Sequence, residues 1–145
     1  MQKQKRQDSR FGSVDAARSA NMRAIRSRDT APELAVRSAL HRAGFRFRLH
    51  RSDLPSVPDL VFPKYRKVIF VHGCFWHSHS CKRGGRVPKT NRPYWSQKLA
   101  RNRQRDNEAR RQLRKRGWGV LTVWECQTKQ IDRLLPRLRR FLENA

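Results

Sequence analysis

Acidic side chains are scarce in this chain: eleven Asp and Glu stand against thirty-five Lys and Arg, for a formal net charge of +24 over 145 residues. Self-repulsion of that size costs stability unless a polyanion neutralises it, so the expected partner is nucleic acid, with a membrane surface as the weaker alternative. Long apolar runs are missing too. No stretch approaches the roughly 18 residues that span a bilayer, so no membrane-crossing segment is expected. The N-terminus lacks the apolar core of a signal peptide, and Asp8 and Asp15 argue against an organelle transit peptide. The expected location is therefore cytoplasmic. Cysteine is limited to three residues. In a reducing compartment that number excludes a disulfide framework and leaves metal ligation or inert burial. No internal repeat is visible.

The apolar fraction is 37%, but it is gathered into segments, which is enough for one domain with one core. Residues 1–18 are polar, basic and without period. They read as a flexible basic arm, either a solubilising tail or an arm that wraps DNA, ahead of a single domain over residues 19–145. Thr30-Ala31-Pro32-Glu33 has capping-box spacing and predicts a helix to about Ala43, ended by Gly44. Phe45, Phe47 and Leu49 alternate with polar residues at strand period. Leu60-Val61-Phe62 and Val68-Ile69-Phe70-Val71 flank a turn at Pro63-Lys64-Tyr65-Arg66, which predicts a hairpin with its second strand central. A long connection follows, then a helix from about Pro93 to Arg116 and a strand from Trp118 to Trp124. The last helix is amphipathic from Ile131, with Pro136 kinking or restarting it. The fold class is α/β, with a mixed central β-sheet flanked by helices.

Cys74, His79 and Cys81 are spaced C-x4-H-x-C, and Cys126 lies just beyond the next strand. Three thiolates and an imidazole make a closed structural zinc set that would staple the long loop to the sheet. The alternative is three small buried hydrophobes and an incidental histidine. His79 is preferred to His77 as the ligand, which frees His72 and His77 for chemistry. Asp59 opens the hairpin and can hold Mg²⁺ through a hard carboxylate oxygen, with the Val71 backbone carbonyl beside it. Trp95, Leu99, Asn102, Asp106, Ala109 and Leu113 share one stripe of the long helix, so Asp106 points inward. There it needs a partner. His77 would be oriented by it and made more basic, while an arginine is the competing partner. Glu33 can act as the capping-box carboxylate, or line the site through water, or both. Phe75, Trp76 and Trp95 are either core aromatics or wedges between base pairs. Arg101, Arg103, Arg105 and Arg110, with the loop residues Lys82, Arg83 and Arg86, are either phosphate contacts or a solvated face.

Asn21-Met22-Arg23-Ala24-Ile25 through Asp29-Thr30-Ala31-Pro32-Glu33 resembles the opening signature of the very-short-patch-repair (Vsr-type) DNA mismatch endonucleases. Val57-Pro58-Asp59, the run Val68 to His77 and Val123-Trp124-Glu125-Cys126 continue it in the family's order, and the resemblance covers residues 19–143. It implies a restriction-endonuclease-like core in which a histidine pair replaces the usual Glu-x-Lys. It also implies a Mg²⁺-dependent, strand-specific nick 5′ of the thymine in T·G mismatches, which arise from 5-methylcytosine deamination, to start short-patch repair. Carried over by position, Asp59 and the Val71 carbonyl would ligate Mg²⁺, and Glu33 would help through water. His72 and His77 would flank the scissile phosphate with Asp106 behind His77. Cys74, His79, Cys81 and Cys126 would hold structural zinc, and Phe75, Trp76 and Trp95 would intercalate. The implied setting is a bacterial cytoplasm at the nucleoid, as a monomer on double-stranded DNA, with other repair proteins as further candidate partners. Some members carry Thr where this chain has Val71, and the basic N-terminus and the loop from Cys81 to Trp95 depart from the family pattern. Two rival readings are a homing-type or general nicking endonuclease on the same core, and a zinc-stapled DNA-binding module without chemistry.

Overall fold

The left-handed residues Gly44, His50, Arg66, Asn91 and Gly117 sit at the breaks between elements. The computed structural model describes residues 29–81 and 87–144. The arm assigned to residues 1–18, the part of the signature at 21–25, and Lys82, Arg83 and Arg86 lie outside the described residues. The elements run α1 (Ala31–Arg42), β1 (Arg48–Leu49), β2 (Leu60–Phe62), β3 (Lys67–His72), α2 (Arg92–Lys115), β4 (Gly119–Trp124), α3 (Glu125–Thr128) and α4 (Ile131–Glu143). No helix among the described residues is long and apolar enough to cross a membrane.

Helix α1 ends as its sequence predicts. Gly44 takes a φ of +97°, its N–H donates to the His41 carbonyl at 3.1 Å, and the Phe45 N–H donates to Leu40 at 3.0 Å. This left-handed cap satisfies the last carbonyls and turns Phe45 into the core. The strand predicted over Phe45 to Leu49 shrinks to Arg48–Leu49. Phe45 is consumed by the helix cap, Leu49 is 41% exposed, and His50 leaves the extended region at a φ of 51°.

The sheet order is β1-β2-β3-β4. β2 and β3 form the expected antiparallel hairpin, with Phe62 opposite Lys67. β3 and β4 run parallel from Lys67↔Gly119 to His72↔Trp124, joined by a crossover through α2. The sheet is therefore mixed, with β3 interior. Period-two alternation sorts its side chains into two cores. Leu60, Phe62, Ile69 and Val123 pack against Val36 and Leu40 of α1 and Leu134, Leu138 and Leu142 of α4. Val61, Val68 and Phe70 pack on the other side with Leu54, Trp118 and Leu113 of α2. Pro136 does not restart α4, which runs as a single helix through it. Pro136 is exposed, so the carbonyl deprived of its bond faces water.

The short helix α3 had no sequence signal. The far end of the sheet is tied by Lys67, whose Nζ donates to the Phe141 and Asn144 carbonyls at the C-terminus of α4. Its stem crosses Gly119, where an added Cβ would lie 2.9 Å from Lys67 Cγ. Gly119→Ala is expected to cost about 1–3 kcal/mol, the usual range for overpacking. The cost should shrink in a Lys67→Ala background. A double-mutant cycle by thermal denaturation reads this, and equal costs in the two backgrounds would sink the steric account.

Candidate active site

β2 runs antiparallel to β3 and β4 runs parallel to it. The start of β2 and the ends of β3 and β4 therefore meet at one edge of the sheet. Asp59 precedes β2, Val71 and His72 close β3, and Glu125 and Cys126 open α3 directly after β4.

Asp59 Oδ2 accepts the Val71 N–H at 2.6 Å. Burial, and then the neighbouring Glu33 carboxylate, push the Asp59 carboxyl up to about 7, against the opposing pull of the Val71 amide and Arg37. Glu33 is 2% exposed. It points into the protein, where its Oε2 meets Arg37 Nη2 and lies 3.0 Å from His50 Nε2.

His72 shares strand parity with Val68 and Phe70, so it faces the α2 layer. It is 6% exposed, and its ring stacks on His77 with centroids 3.7 Å apart and planes within 7°. Burial, together with His77 and Arg110, lowers its pKa to about 3 despite the nearby Asp106 carboxylate. The ring is thus neutral at physiological pH, and its buried Nδ1 has no hydrogen-bond partner among the described residues. His77 Nδ1 lies 2.5 Å from Asp106 Oδ2. The α2 stripe accounts for this: Leu99, Asn102, Ala109 and Leu113 are buried, and Asp106 lies on the same face.

The loop after β3 curls back on itself, the His79 N–H donating to the Cys74 carbonyl at 3.0 Å. One ligand atom from each of Cys74, His79, Cys81 and Cys126 lies within 4.8 Å of the others. His79 Nδ1 is 3.6 Å from Cys126 Sγ, and its ring stacks on Trp124 at 4.2 Å. Burial pushes the Cys74 thiol up to about 12, with the adjacent Cys81 and Cys126 adding to the effect. Three thiols and an imidazole at this spacing fit a tetrahedral ion with bonds of about 2.0–2.3 Å.

Phe75, Trp76 and Trp95 form one cluster, with centroid separations of 5.0, 5.7 and 5.9 Å. Trp76 is 6% exposed, so it is packed in the free protein, while Phe75 and Trp95 are half-buried. Arg101, Arg103 and Arg105 are exposed on α2. Arg110 turns inward and donates to Thr122 Oγ1 at 3.3 Å.

Several residues of this edge escaped the sequence reading. Asn102 donates to the Trp76 carbonyl at 3.0 Å and accepts from Arg105 at 2.5 Å, anchoring the aromatic loop to α2. Its place on a buried stripe was the available signal. Glu125 Oε1 accepts the Cys74 N–H at 3.3 Å. The Glu33–Arg37 pair was readable as an i,i+4 ion pair, but nothing local pointed to His50.

Residues 13–83 match the family of DNA mismatch endonuclease Vsr. The chain is 52% identical over 122 residues to the Type II nicking enzyme V.XorIIP of Xanthomonas oryzae pv. oryzae, covering 84% of this chain and 89% of that relative. It is 41% identical over 125 residues to the Type II nicking enzyme V.NmeAIP of Neisseria meningitidis, covering 86% and 89%. It is 45% identical over 119 residues to the DNA mismatch endonuclease Vsr of Escherichia coli, covering 82% and 76%. The α/β fold and these likenesses define a DNA endonuclease, which sets aside the reading as a binding module without chemistry. The chain belongs to the Vsr family of DNA mismatch endonucleases. Membership implies a restriction-endonuclease-like fold, with which the mixed four-stranded sheet and its flanking helices are compatible.

The Asp59 carboxyl has a testable consequence for stability. Its folded pKa of about 7 stands above the ordinary 3.8. Its contribution to stability is therefore complete below about pH 4 and is lost as pH rises through 7. His72 acts oppositely, losing stability as pH falls from 6.5 towards 3, so the Asp59 effect must be isolated by difference. In Mg²⁺-free buffer the melting temperature of Asp59→Asn should gain on wild type between about pH 4 and 8. A difference that stays constant across that window would disprove the burial argument.

Proposed function

We propose that this endonuclease makes a Mg²⁺-dependent, strand-specific nick 5′ of the thymine in a T·G mismatch, acting as a monomer in the cytoplasm. The supporting observation is the stacked His72–His77 pair, backed by Asp106, at the same sheet edge as the half-buried Asp59 and the buried Glu33 carboxylates.

The residues fit the implied ions. Two neighbouring carboxylates, one buried and one half-buried and driven towards protonation, suit a hard divalent cation, and Asp59 with the Val71 carbonyl would hold Mg²⁺ there. When bound, the ion supplies Lewis-acid polarisation of the scissile phosphate. Glu33 would help hold water at that site. Asp106 holds His77 through Nδ1, which leaves Nε2 to take a proton from the attacking water. His72, neutral and stacked against His77, flanks the phosphate. Cys74, His79, Cys81 and Cys126 form the structural zinc site, closing the loop onto β4. Phe75, Trp76 and Trp95 leave their mutual packing to wedge beside the mismatch. Arg101, Arg103 and Arg105, together with the loop's Lys82, Arg83 and Arg86 and the arm at residues 1–18, contact the DNA backbone.

The second reading is a homing-type or general nicking enzyme, favoured by the relatives named as Type II nicking enzymes. End-labelled T·G and matched duplexes, incubated with and without Mg²⁺, separate the two. A single cut 5′ of the mismatched thymine, dependent on Mg²⁺, is the expected product. Equal nicking of matched duplex would transfer the assignment to the second reading. Asp59→Ala should abolish nicking while duplex binding persists.

For the zinc site, the wild type should contain stoichiometric zinc by elemental analysis. Cys126→Ala should lose the metal together with a large part of its thermal stability, because binding energy at such sites is folding energy. Full zinc retention in that variant would refute the ligand set.

A further inference from the structure

Behind the proposed Mg²⁺ site lies a second layer of contacts that the reaction itself does not require. Glu33 Oε2 is approached by two nitrogen atoms at once. Arg37, one turn on along α1, reaches it with Nη2, and His50 Nε2 lies 3.0 Å away. The two nitrogens are themselves 3.2 Å apart, Nη2 to Nε2. All three side chains are nearly buried, at 3% exposed for Glu33, 10% for His50 and 16% for Arg37. With hydrogen on Nε2, His50 donates to the Glu33 carboxylate; with hydrogen on Nδ1, its Nε2 instead accepts from Arg37. The Glu33 carboxylate also lies near enough to Asp59 to raise its pKa.

This arrangement answers a physical problem. A glutamate has three side-chain torsions, and two carboxylates pressed together repel, so an unrestrained Glu33 would swing away from Asp59. A bond from His50 and the positive charge of Arg37 hold it in place from behind. The His50 backbone sits at a φ of 51°, a left-handed conformation that non-glycine residues seldom adopt and that clusters at functional sites.

We infer that His50 is a positioning residue for the metal site: with Arg37 it clamps Glu33 against Asp59, so that the carboxylate pair is set for a divalent cation before the cation arrives. The inference rests on the proposed reading of that pair as the Mg²⁺ site. His50 touches neither substrate nor reacting atoms, and acts through Glu33 alone.

Two amide variants that differ by one methylene test it. His50→Gln places its side-chain N–H where Nε2 stands, whereas His50→Asn tolerates the left-handed backbone but falls short of Glu33. Partners behind metal ligands typically contribute about 10–100-fold in affinity. His50→Asn should therefore raise the half-saturating Mg²⁺ concentration for nicking by about tenfold or more, with kcat at saturating Mg²⁺ nearly unchanged. His50→Gln should stay close to wild type. Mn²⁺ binding to the enzyme on an uncleavable T·G duplex, followed by electron paramagnetic resonance, should weaken in the same order. Wild-type Mn²⁺ affinity in His50→Asn overturns the inference, as does an equal loss in both variants, which would mark a packing role. Asp59→Asn in parallel separates the two levels. If it binds Mn²⁺ normally, or if wild type binds none, the metal site itself is refuted; if only Asp59→Asn loses the ion, the clamp alone fails.

Discussion

The bond from the Val71 N–H to Asp59 Oδ2 is the contact on which the candidate site turns. It closes the open end of the hairpin, and so ties the residue before β2 to the residue before His72. A carboxylate at 2.6 Å from a backbone amide is held in orientation as well as position. Its neighbour Glu33 comes from α1, in the layer opposite the one that carries Asp106. One strand end thus joins a carboxylate pair supplied from one side of the sheet to a histidine pair supported from the other. Parallel pairing of β4 with β3 then brings α3, and with it Cys126 and Glu125, to the same edge. If the register slipped by one residue, His72 would point towards α1 and away from Asp106.

Burial at this edge works against the charged forms of its own groups. Asp59 is driven towards protonation, Cys74 keeps its proton, and His72 stays neutral. Each of these penalties would be relieved by a cation or by a phosphate with its counter-ion. In a chain that needed no such ligands, apolar residues of similar volume would pack here at less cost. The Arg37–His50 contacts on Glu33 follow the same logic. They offset part of the repulsion between the two carboxylates, and they are affordable because the protein has cations in excess.

Most of the fold was legible because hydrophobic periodicity and turn chemistry agreed. The hairpin, the central position of β3, the length of α2 and the Gly44 cap all have local causes. The exceptions are where tertiary context prevailed. The strand after Gly44 was shortened because Phe45 was needed in the helix cap, α3 is only one turn long, and α4 carries Pro136 on a face where water compensates. Of the site, the residues with distinctive spacing were readable, namely Asp59, His72, His77, the cysteines and His79, and the α2 stripe brought Asp106 with them. The contacts of His50, Asn102 and Glu125 were not readable. Each depends on two segments far apart in sequence meeting at the sheet edge, and only Asn102, on the α2 stripe, leaves a periodic trace.

The scarcity of acid in the composition is not evenly spread over the structure. Of eleven Asp and Glu, Glu33, Asp59, Asp106 and Glu125 lie at this one edge, each bonded to a histidine, an arginine or a backbone amide. Elsewhere Lys and Arg dominate, and their summed field draws a phosphate backbone to the surface without regard to sequence. Carboxylates gathered at one edge of a basic chain separate two tasks. The shell suits a polyanion, and under the proposed function the carboxylates would give a divalent cation a small region in which to compete with the surrounding arginines. Were those four carboxylates scattered, the same net charge would still bind DNA, but no point on the surface would favour a metal ion over a guanidinium group.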